Sequence, residues 1–249
     1  MFDSFSFSSK ELISLSGGGG KTSLLFALSE YFLPRRSIMT TTTKIAVPTG
    51  EVPVFVGDMA LCKRTAFSLS DPVQAIYARS ENNGKLTGFS AEEVDAFYRE
   101  EKSGCLLVEA DGAKGFPFKG YKEDEPVIPQ LSTHLIVVVG AEIFFKKPDE
   151  NIVFRLDELR KKWDFDDNRE MSIPLIAKIV EDSEGYLHRA PDPSHCRRTL
   201  FINKSDLLNP AYAATITGEL ALYLTQYHDL CIGSLRSGRI DSHRYMRGF

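Results

Sequence analysis

Four consecutive glycines, at positions 17–20, stand directly before Lys21 and Thr22. Apolar segments flank this run on both sides, at residues 12–15 and 23–28. This order predicts a buried strand, a tight loop and a helix. Glycines let main-chain N–H groups curl around an anion, and the positive end of the following helix would face the same anion. The run therefore favours a phosphate-binding loop over a flexible linker, which does not normally lie between an apolar strand and an apolar helix start.

The chemistry predicted for this loop is that of a nucleoside triphosphate site. Lys21 is placed to reach the β- and γ-phosphates, and the Thr22 hydroxyl is placed to bind Mg²⁺. The general pattern has a glycine six positions before the lysine, and Leu15 stands there, so the loop is a variant. Ser16 occupies the position of a second lysine in one subclass that closes as an ATP-driven dimer, and serine lacks that reach. The predicted phosphate-binding residues are Gly17, Gly18, Gly19, Gly20, Lys21, Thr22 and Ser23.

The composition excludes several other classes of protein. A hydrophobic content of 43% and a charged content of 26% are ordinary for a soluble globular protein. The net charge of −4 argues against a broad nucleic-acid-binding surface. The four cysteines form no C-x-x-C pair, so we predict buried, reduced thiols rather than a zinc ribbon or a thioredoxin-like motif.

The expected location is the cytoplasm. The first ten residues lack a basic flank before a long apolar core, so no signal peptide is predicted. The best apolar run, residues 135–145, contains Glu142 and is too short to span a bilayer. We expect neither a membrane nor a nucleic acid as partner, and the oligomeric state is left open.

Apolar strands and helix-like segments alternate along the chain, which predicts an α/β fold. We expect a P-loop NTPase-like, mainly parallel sheet with helices on both faces, in a single domain over residues 1–249. The predicted strands are residues 12–15, 37–41, 105–109, 135–139 and 199–202, and the predicted helices are residues 21–32, 91–101 and 211–227. Ser90 and Glu93 form a capping-box pattern, and Asn209-Pro210 is a typical helix entry.

Two segments interrupt this alternation and are predicted as insertions beside the sheet. Within residues 51–89, a turn signal at 81–85 lies between the apolar segments 75–78 and 86–89, which predicts a hairpin. Residues 146–198 are polar and contain prolines. Both segments are candidates for contact with a substrate or partner, with surface decoration as the alternative.

Two acids at the end of a predicted strand, Glu109 and Asp111, are candidate metal ligands. Together with Lys21 they are also the candidate catalytic residues. Glu109 and Asp111 would point to one side if the strand continues that far. A carboxylate beside a phosphate loop binds Mg²⁺ directly or through water. Glu109 also stands three residues before Gly112, whose amide would then meet the γ-phosphate. The sequence does not choose between the two acids.

A row of threonines follows the second predicted strand. Any of Thr40, Thr41, Thr42 and Thr43 is placed to complete the Mg²⁺ shell and to order a switch loop, and Thr43 is taken as the candidate. The alternative is that threonines stand here because β-branched side chains favour strands.

An N-K-x-D element, Asn203-Lys204-Ser205-Asp206, follows the last predicted strand. A carboxylate at Asp206 accepts two hydrogen bonds from guanine but would be left unpaired by adenine, which is costly when buried. Asn203 would contact the opposite edge of the base, and the stem of Lys204 would lie across the ring. We therefore predict GTP in preference to ATP.

Taken together, these segments resemble the YqeC family, described as accessory proteins of selenium-dependent molybdenum hydroxylases. The resemblance runs over most of the chain. It rests on the segments at residues 17–22, 40–45, 83–90, 108–115, 117–129 and 203–206. It is strongest around Asp111, Lys114 and Lys119, and it implies that Lys114 binds a phosphate or an anionic cofactor tail.

The predicted function is binding of a nucleoside triphosphate with Mg²⁺-dependent hydrolysis. We expect this hydrolysis to be slow, because no side chain stands out as a base that orients water. The resemblance implies a maturation step in which the nucleotide state gates transfer of a cofactor or metal to a molybdenum hydroxylase client. Two alternatives stay open. One is an ATP-dependent small-molecule kinase or ligase, and the other is a nucleotide-sensing module without turnover.

Overall fold

The computed structural model describes Phe2 and residues 5–48, 52–68, 74–101, 104–163 and 169–246. The strands in these ranges are β1 (Lys10–Gly17), β2 (Ser37–Thr41), β3 (Lys44–Ala46), β4 (Val54–Val56), β5 (Gln74–Ala78), β6 (Ser80–Asn82), β7 (Lys85–Thr87), β8 (Gly104–Glu109), β9 (Phe118–Lys119), β10 (His134–Gly140), β11 (Val153–Phe154), β12 (Arg197–Asn203), β13 (Asp229–Ser234) and β14 (Arg239–Tyr245). The helices are α1 (Lys21–Tyr31), α2 (Met59–Ser68), α3 (Ala91–Glu100), α4 (Leu156–Lys162), α5 (Ile173–Val180) and α6 (Pro210–Tyr223).

A nine-stranded sheet forms the centre of the fold, in the order β14-β13-β12-β10-β1-β8-β2-β5-β4. Its strand pairs are parallel except for β13 with β14, which is antiparallel. The predicted α/β fold with a mainly parallel sheet is confirmed, and each of the five predicted strands lies within an observed one. Strand β1 is the middle strand of this order, and its residues from Glu11 to Gly17 are all buried.

Helices cover both faces of this sheet, as the alternation along β10 shows. Leu135 and Val137 belong to the apolar cluster that contains the buried apolar residues of α5 and α6. Ile136 and Val138 belong to a second cluster, which contains the buried leucines of α1. Successive side chains of a strand point to opposite faces, so each face of the sheet has its own helical layer.

The helix ends agree with the predicted caps, with one correction. The capping box of Ser90 and Glu93 opens α3, and Asn209 caps α6 with Pro210 in its first turn. Helix α6 ends at Tyr223, four residues before the predicted end. The carboxylate of Glu181, which follows α5, accepts hydrogen bonds from the main-chain N–H groups of residues 225 and 226. These bonds lead the chain toward β13 instead of into another helical turn.

The predicted hairpin exists, but the prediction had one of its strands wrong. Strand β7 pairs with β6, directly across the Asn83-Gly84 turn, whose residues have φ of +49° and +69°. Residues 75–78 lie in β5, which is parallel to β2 and β4 in the main sheet. The segment 51–89 thus supplies two strands of the main sheet as well as the hairpin. Two apolar runs near one turn signal do not reveal which run is the partner.

The segment 146–198 contributes to the apolar core. It contains α4 and α5, and buried residues of both helices belong to the cluster on one face of the sheet. Strand β11 pairs with β9 in a separate two-stranded sheet. Among the described residues, no helix has the length and hydropathy needed to cross a membrane. All four cysteines are buried and free, as predicted.

Candidate functional site

The glycine loop connects β1 to α1 through a backbone conformation that favours glycine. Gly17, Gly19 and Gly20 have φ of +97°, +78° and +117°, a region that other residues rarely adopt. The N–H group of Gly18 donates to Val138 O at 2.9 Å, and that of Gly19 donates to Phe116 O at 2.7 Å. These two amides hold the loop in place, so they are not available to an anion in this conformation.

The second half of the loop leaves its N–H groups unpaired within the described residues. Helix α1 begins at Lys21, and its first hydrogen bond runs from Leu24 N–H to Gly20 O at 3.0 Å. The four preceding N–H groups, from Gly20 to Ser23, have no acceptor in the described part of the chain. Unpaired N–H groups at the start of a helix are the usual donors to a phosphate. The anion-binding capacity of this loop therefore lies in residues 20–23.

Close packing of the loop gives a testable prediction for Gly18, with Gly112 as its control. An alanine Cβ at position 18 would lie 2.6 Å from Phe116 O, whereas nothing lies within 4 Å of one at position 112. Neither glycine has a positive φ, so the two substitutions differ in the space available to the added Cβ atom. We expect Gly18→Ala to lower the free energy of unfolding by about 1–3 kcal/mol and Gly112→Ala to change it little, as measured by urea denaturation. Equal effects would contradict this packing.

Lys21 lies along its own loop and joins both candidate acids. Its Nζ donates to Gly17 O at 2.6 Å and lies 2.9 Å from Asp111 Oδ1 and 3.8 Å from Glu109 Oε1. The side chain is buried. The structure thus brings Lys21, Glu109 and Asp111 together, although β8 ends at Glu109 and Asp111 follows in a bend.

Asp111 is fully buried beneath the loop. Its Oδ2 accepts hydrogen bonds from Gly17 N–H at 2.9 Å and from the Tyr121 hydroxyl at 2.6 Å. Burial by itself raises the pKa of Asp111, but the ammonium groups of Lys119 and Lys21 and these two hydrogen bonds outweigh it, so the pKa lies below its usual value. Asp111 is therefore a charged anchor for the loop and does not line the cleft beside it.

A buried lysine extends this network away from the loop. Lys119 is 0% exposed, and its Nζ donates to Gly112 O and to Glu125 Oε2, both at 2.9 Å, and lies 3.6 Å from Asp111 Oδ2. Glu125 also pairs with Arg155. Three cations and three carboxylates thus form one continuous chain of ion pairs, which runs from Glu109 through Lys21, Asp111, Lys119 and Glu125 to Arg155.

Glu109 and Thr22 form the pair that faces the cleft. The Thr22 hydroxyl donates to Glu109 Oε2 at 2.8 Å, and both residues line the cleft. Burial raises the pKa of Glu109, although Lys21 and Thr22 act in the opposite direction. A hydroxyl and a carboxylate in contact are hard oxygen donors of the kind that Mg²⁺ prefers, so the residues present fit this ion.

The threonine row is divided between structural and cleft-facing hydroxyls. The hydroxyls of Thr40, Thr41 and Thr42 donate to main-chain carbonyls of residues 77, 109 and 127. The hydroxyl of Thr43 contacts that of Thr41 at 3.3 Å, and Thr42 and Thr43 line the cleft. Within this row, Thr43 thus lines the cleft with a hydroxyl that no carbonyl of the described residues holds.

Two cavities meet at the loop. The larger has a volume of ≈ 810 Å³ and contains Gly20 to Ser23, Glu109 and residues 112–116 in its lining. The smaller has a volume of ≈ 460 Å³ and extends toward Asn203, Lys204 and Asp206. Gly20 and Ser23 line both cavities.

The N-K-x-D residues lie around the smaller cavity. The Asn203 side chain donates to Gly19 O at 2.7 Å and accepts from Leu235 N–H at 3.1 Å, so it holds two loops together. Lys204 pairs with Glu142. Asp206 is exposed, and its carboxylate has no hydrogen bond or ion pair within the described ranges. Lys114, predicted from the resemblance as an anion ligand, lies exposed in the larger cavity.

Sequence reasoning missed residues that line each cavity. Phe154 and Arg155 line the larger one, and Ser234, Leu235 and Arg236 line the smaller one. Residues 234–236 follow the apolar segment of β13. Their position could have indicated a ligand site, because ligands bind at the carboxyl ends of parallel strands. Arg155 lies in a polar segment without periodicity, and no local signal marked it.

Comparison with known proteins places this site in a family. The family model described as "YqeC protein" matches residues 13–157, which include the glycine loop and both acids. A protein of Escherichia coli (strain K12), described as "Uncharacterized protein YqeC", is 33% identical over 236 residues, which cover 93% of this chain and 88% of that protein. No solved structure gives a significant match. The chain therefore belongs to the YqeC family.

Proposed function

We propose that this protein binds a nucleoside triphosphate together with Mg²⁺ and hydrolyses it slowly. The observation that carries the proposal is the group of four N–H donors from Gly20 to Ser23, which have no acceptor in the described part of the chain and line a cleft beside Lys21. A row of helix-start donors beside an ammonium group is suited to a polyphosphate. Calorimetric titration with GTP and ATP, with and without Mg²⁺, tests it directly. Absence of binding to every nucleotide would refute it.

The residues of the cleft have distinct roles in this proposal. The N–H groups of residues 20–23 bind and orient the phosphates, and Lys21 stabilises the charge that develops between the β- and γ-phosphates. Thr22 and Glu109 would hold Mg²⁺, which supplies charge neutralisation on the phosphate oxygens when bound. Thr22 and Glu109 offer only two oxygen-bearing side chains, so we expect Mg²⁺ to bind much more tightly with nucleotide than without it.

The preference for guanine is supported by the position of Asp206. Its carboxylate has no partner among the described residues, and it borders a cavity that adjoins the phosphate-binding residues. A carboxylate matches the two donors on the edge of guanine and is left unpaired by adenine. The alternative of an ATP-dependent kinase or ligase is decided by competition between GTP and ATP in the same titration.

Asp206→Asn is expected to shift base preference away from guanine. The amide no longer accepts both guanine hydrogen bonds, so GTP should bind about 10- to 100-fold more weakly, and xanthosine triphosphate, which offers an acceptor to the new N–H group, should bind more tightly. The measurement is the ratio of the two dissociation constants, with Asp124→Asn as a control at an exposed carboxylate outside both cavities. An unchanged ratio would show that Asp206 does not read the base.

The biological role that we propose is that of an accessory protein for a molybdenum hydroxylase, with the nucleotide state gating transfer of a cofactor or metal. Membership of the YqeC family supports this role, because the role was predicted from the resemblance to that family. The test is to mature a client hydroxylase with the wild-type protein or with Lys21→Ala and to compare its cofactor content. Equal content would argue against a nucleotide-gated step.

A further inference from the structure

The larger cavity offers more space than the proposed nucleotide requires. If the phosphates lie on the loop and the nucleoside lies toward Asp206, the nucleoside occupies the smaller cavity, and the phosphates and Mg²⁺ occupy the end of the larger cavity that Lys21, Thr22 and Glu109 line. The part of this ≈ 810 Å³ cavity that residues 44–46, 85, 87, 112–116, 154 and 155 line then lies beyond the terminal phosphate. Hydrolysis needs one water molecule, whose share of liquid volume is about 30 Å³, whereas cavities of this size accommodate an organic ligand.

A separate three-stranded sheet, in the order β3-β7-β6, contributes two lysines to the lining of the larger cavity. In the antiparallel pair of β3 and β7, Lys44 is opposite Thr87 and Lys85 is opposite Ala46. The intervening residues, Ile45 and Leu86, are buried in the apolar core. Because side chains alternate along a strand, Lys44 and Lys85 lie on the same face, and both line the larger cavity.

A third lysine lines the same cavity. Lys114 lies in the turn after β8, and its Nζ is 5.2 Å from the centre of the Phe154 ring. The Phe116 and Phe154 rings lie 5.8 Å apart at an interplanar angle of 32°, and both rings line the cavity. Lys114 therefore lies beside two partly exposed aromatic residues in the lining of the cavity.

The cationic side chains that line the larger cavity differ in whether a carboxylate is paired with them. Arg155 is paired with Glu125, and Lys21 is paired with Asp111. Lys44, Lys85 and Lys114 have no carboxylate partner among the residues that the structure describes. Three unmatched cations around one cavity attract a multiply charged anion.

We infer that the larger cavity is a second ligand subsite, for a small phosphate monoester with a planar ring, bound next to the terminal phosphate of the nucleotide. The three lysines bind the phosphate group, which carries about −1.5 to −2 charge at pH 7, and Phe116 and Phe154 contact the ring. The inference rests on the proposed function, because the nucleotide must leave this part of the cleft open.

Pyridoxal 5′-phosphate is a suitable probe, since it combines a phosphate, a planar ring and an aldehyde that reacts with lysine. The lysine amine and the aldehyde form an imine with loss of water. Borohydride then delivers hydride to the imine carbon, and a solvent proton completes a stable secondary amine. The full-length protein is saturated with guanylyl imidodiphosphate and Mg²⁺, titrated with the probe, trapped, and mapped by peptide mass spectrometry. We expect saturable binding with the label concentrated on Lys44, Lys85 or Lys114.

A charge-matched pair of triple variants decides whether these lysines form the site. Lys44→Gln, Lys85→Gln and Lys114→Gln together should weaken probe binding by about tenfold or more. Lys122→Gln, Lys146→Gln and Lys147→Gln remove three exposed lysines outside the cavity and should leave it unchanged. Equal affinity in both variants, or label spread evenly over exposed lysines, would overturn the inference.

The same experiment separates this inference from the proposed function. If the nucleotide analogue does not bind at all, the proposed function fails, and titration of the nucleotide-free protein still shows whether the three lysines bind the probe. If the analogue binds but excludes the probe, and the label moves to Lys21 in its absence, the cavity is the phosphate site of the nucleotide itself. That result refutes the second subsite and leaves the proposed function standing.

Discussion

Lys21→Ala is expected to lower the affinity for GTP by about 100-fold, because charge-assisted hydrogen bonds to phosphate contribute about 1.5–3 kcal/mol. In the present conformation, the ammonium group is held by Gly17 O and Asp111. We expect it to leave these partners when a triphosphate binds, after which Lys119 remains to neutralise Asp111. Calorimetric titration with a non-hydrolysable analogue measures the loss in binding, and phosphate release measures the accompanying loss in turnover.

Loss of folding must be separated from loss of binding in this variant, because Lys21 also neutralises buried acids. Thermal unfolding of Lys21→Ala gives the change in stability, and titration below the unfolding transition gives the change in affinity. Lys122→Ala, at an exposed position outside both cavities, is the control. Affinity equal to that of the wild type in a folded Lys21→Ala protein would exclude the loop as the phosphate site.

Asp111→Asn is expected to lower the free energy of unfolding by about 3–5 kcal/mol, the usual cost of breaking a buried ion pair from one side. The carboxylate accepts from Gly17 N–H and from Tyr121, and it faces the ammonium groups of Lys21 and Lys119. Asparagine has the same shape, but its side-chain NH₂ group is a hydrogen-bond donor and would face groups that are themselves donors. Urea denaturation measures the loss, and a value below about 1 kcal/mol would contradict the role of Asp111 as an anchor.

A double-mutant cycle and a pH series sharpen this test. Lys119→Met added to Asp111→Asn removes both charges of one pair, so the losses in the free energy of unfolding should be less than additive.

The folded-state pKa of Asp111 lies below its usual 3.8. A carboxyl with a lowered pKa stabilises the fold above its unfolded-state pKa, and this stabilisation is lost as the pH falls through the folded-state pKa. The difference between wild type and Asp111→Asn should therefore be largest near neutral pH and shrink below about pH 4.

The elements that the sequence predicted best are those encoded by local patterns. The apolar runs at residues 105–109 and 135–139 became buried parallel strands, and the capping box of Ser90 formed as expected. The end of α6 and the partner of β7 were wrong, because both depend on contacts with segments outside the local run.

The sequence by itself determined the glycine loop between a buried strand and a helix, because the need for positive φ and for apolar flanks is a property of neighbouring residues. Only the tertiary structure decided which polar groups remain open to a ligand. Asp111 is held by Tyr121 and Lys119, and Gly18 and Gly19 donate to residues 138 and 116. Glu109 and the N–H groups after Gly19 are left facing the cleft. A hydrogen bond needs its partner within about 3 Å, and the partners of the Gly17, Gly18 and Gly19 N–H groups are supplied by segments that are distant in the sequence.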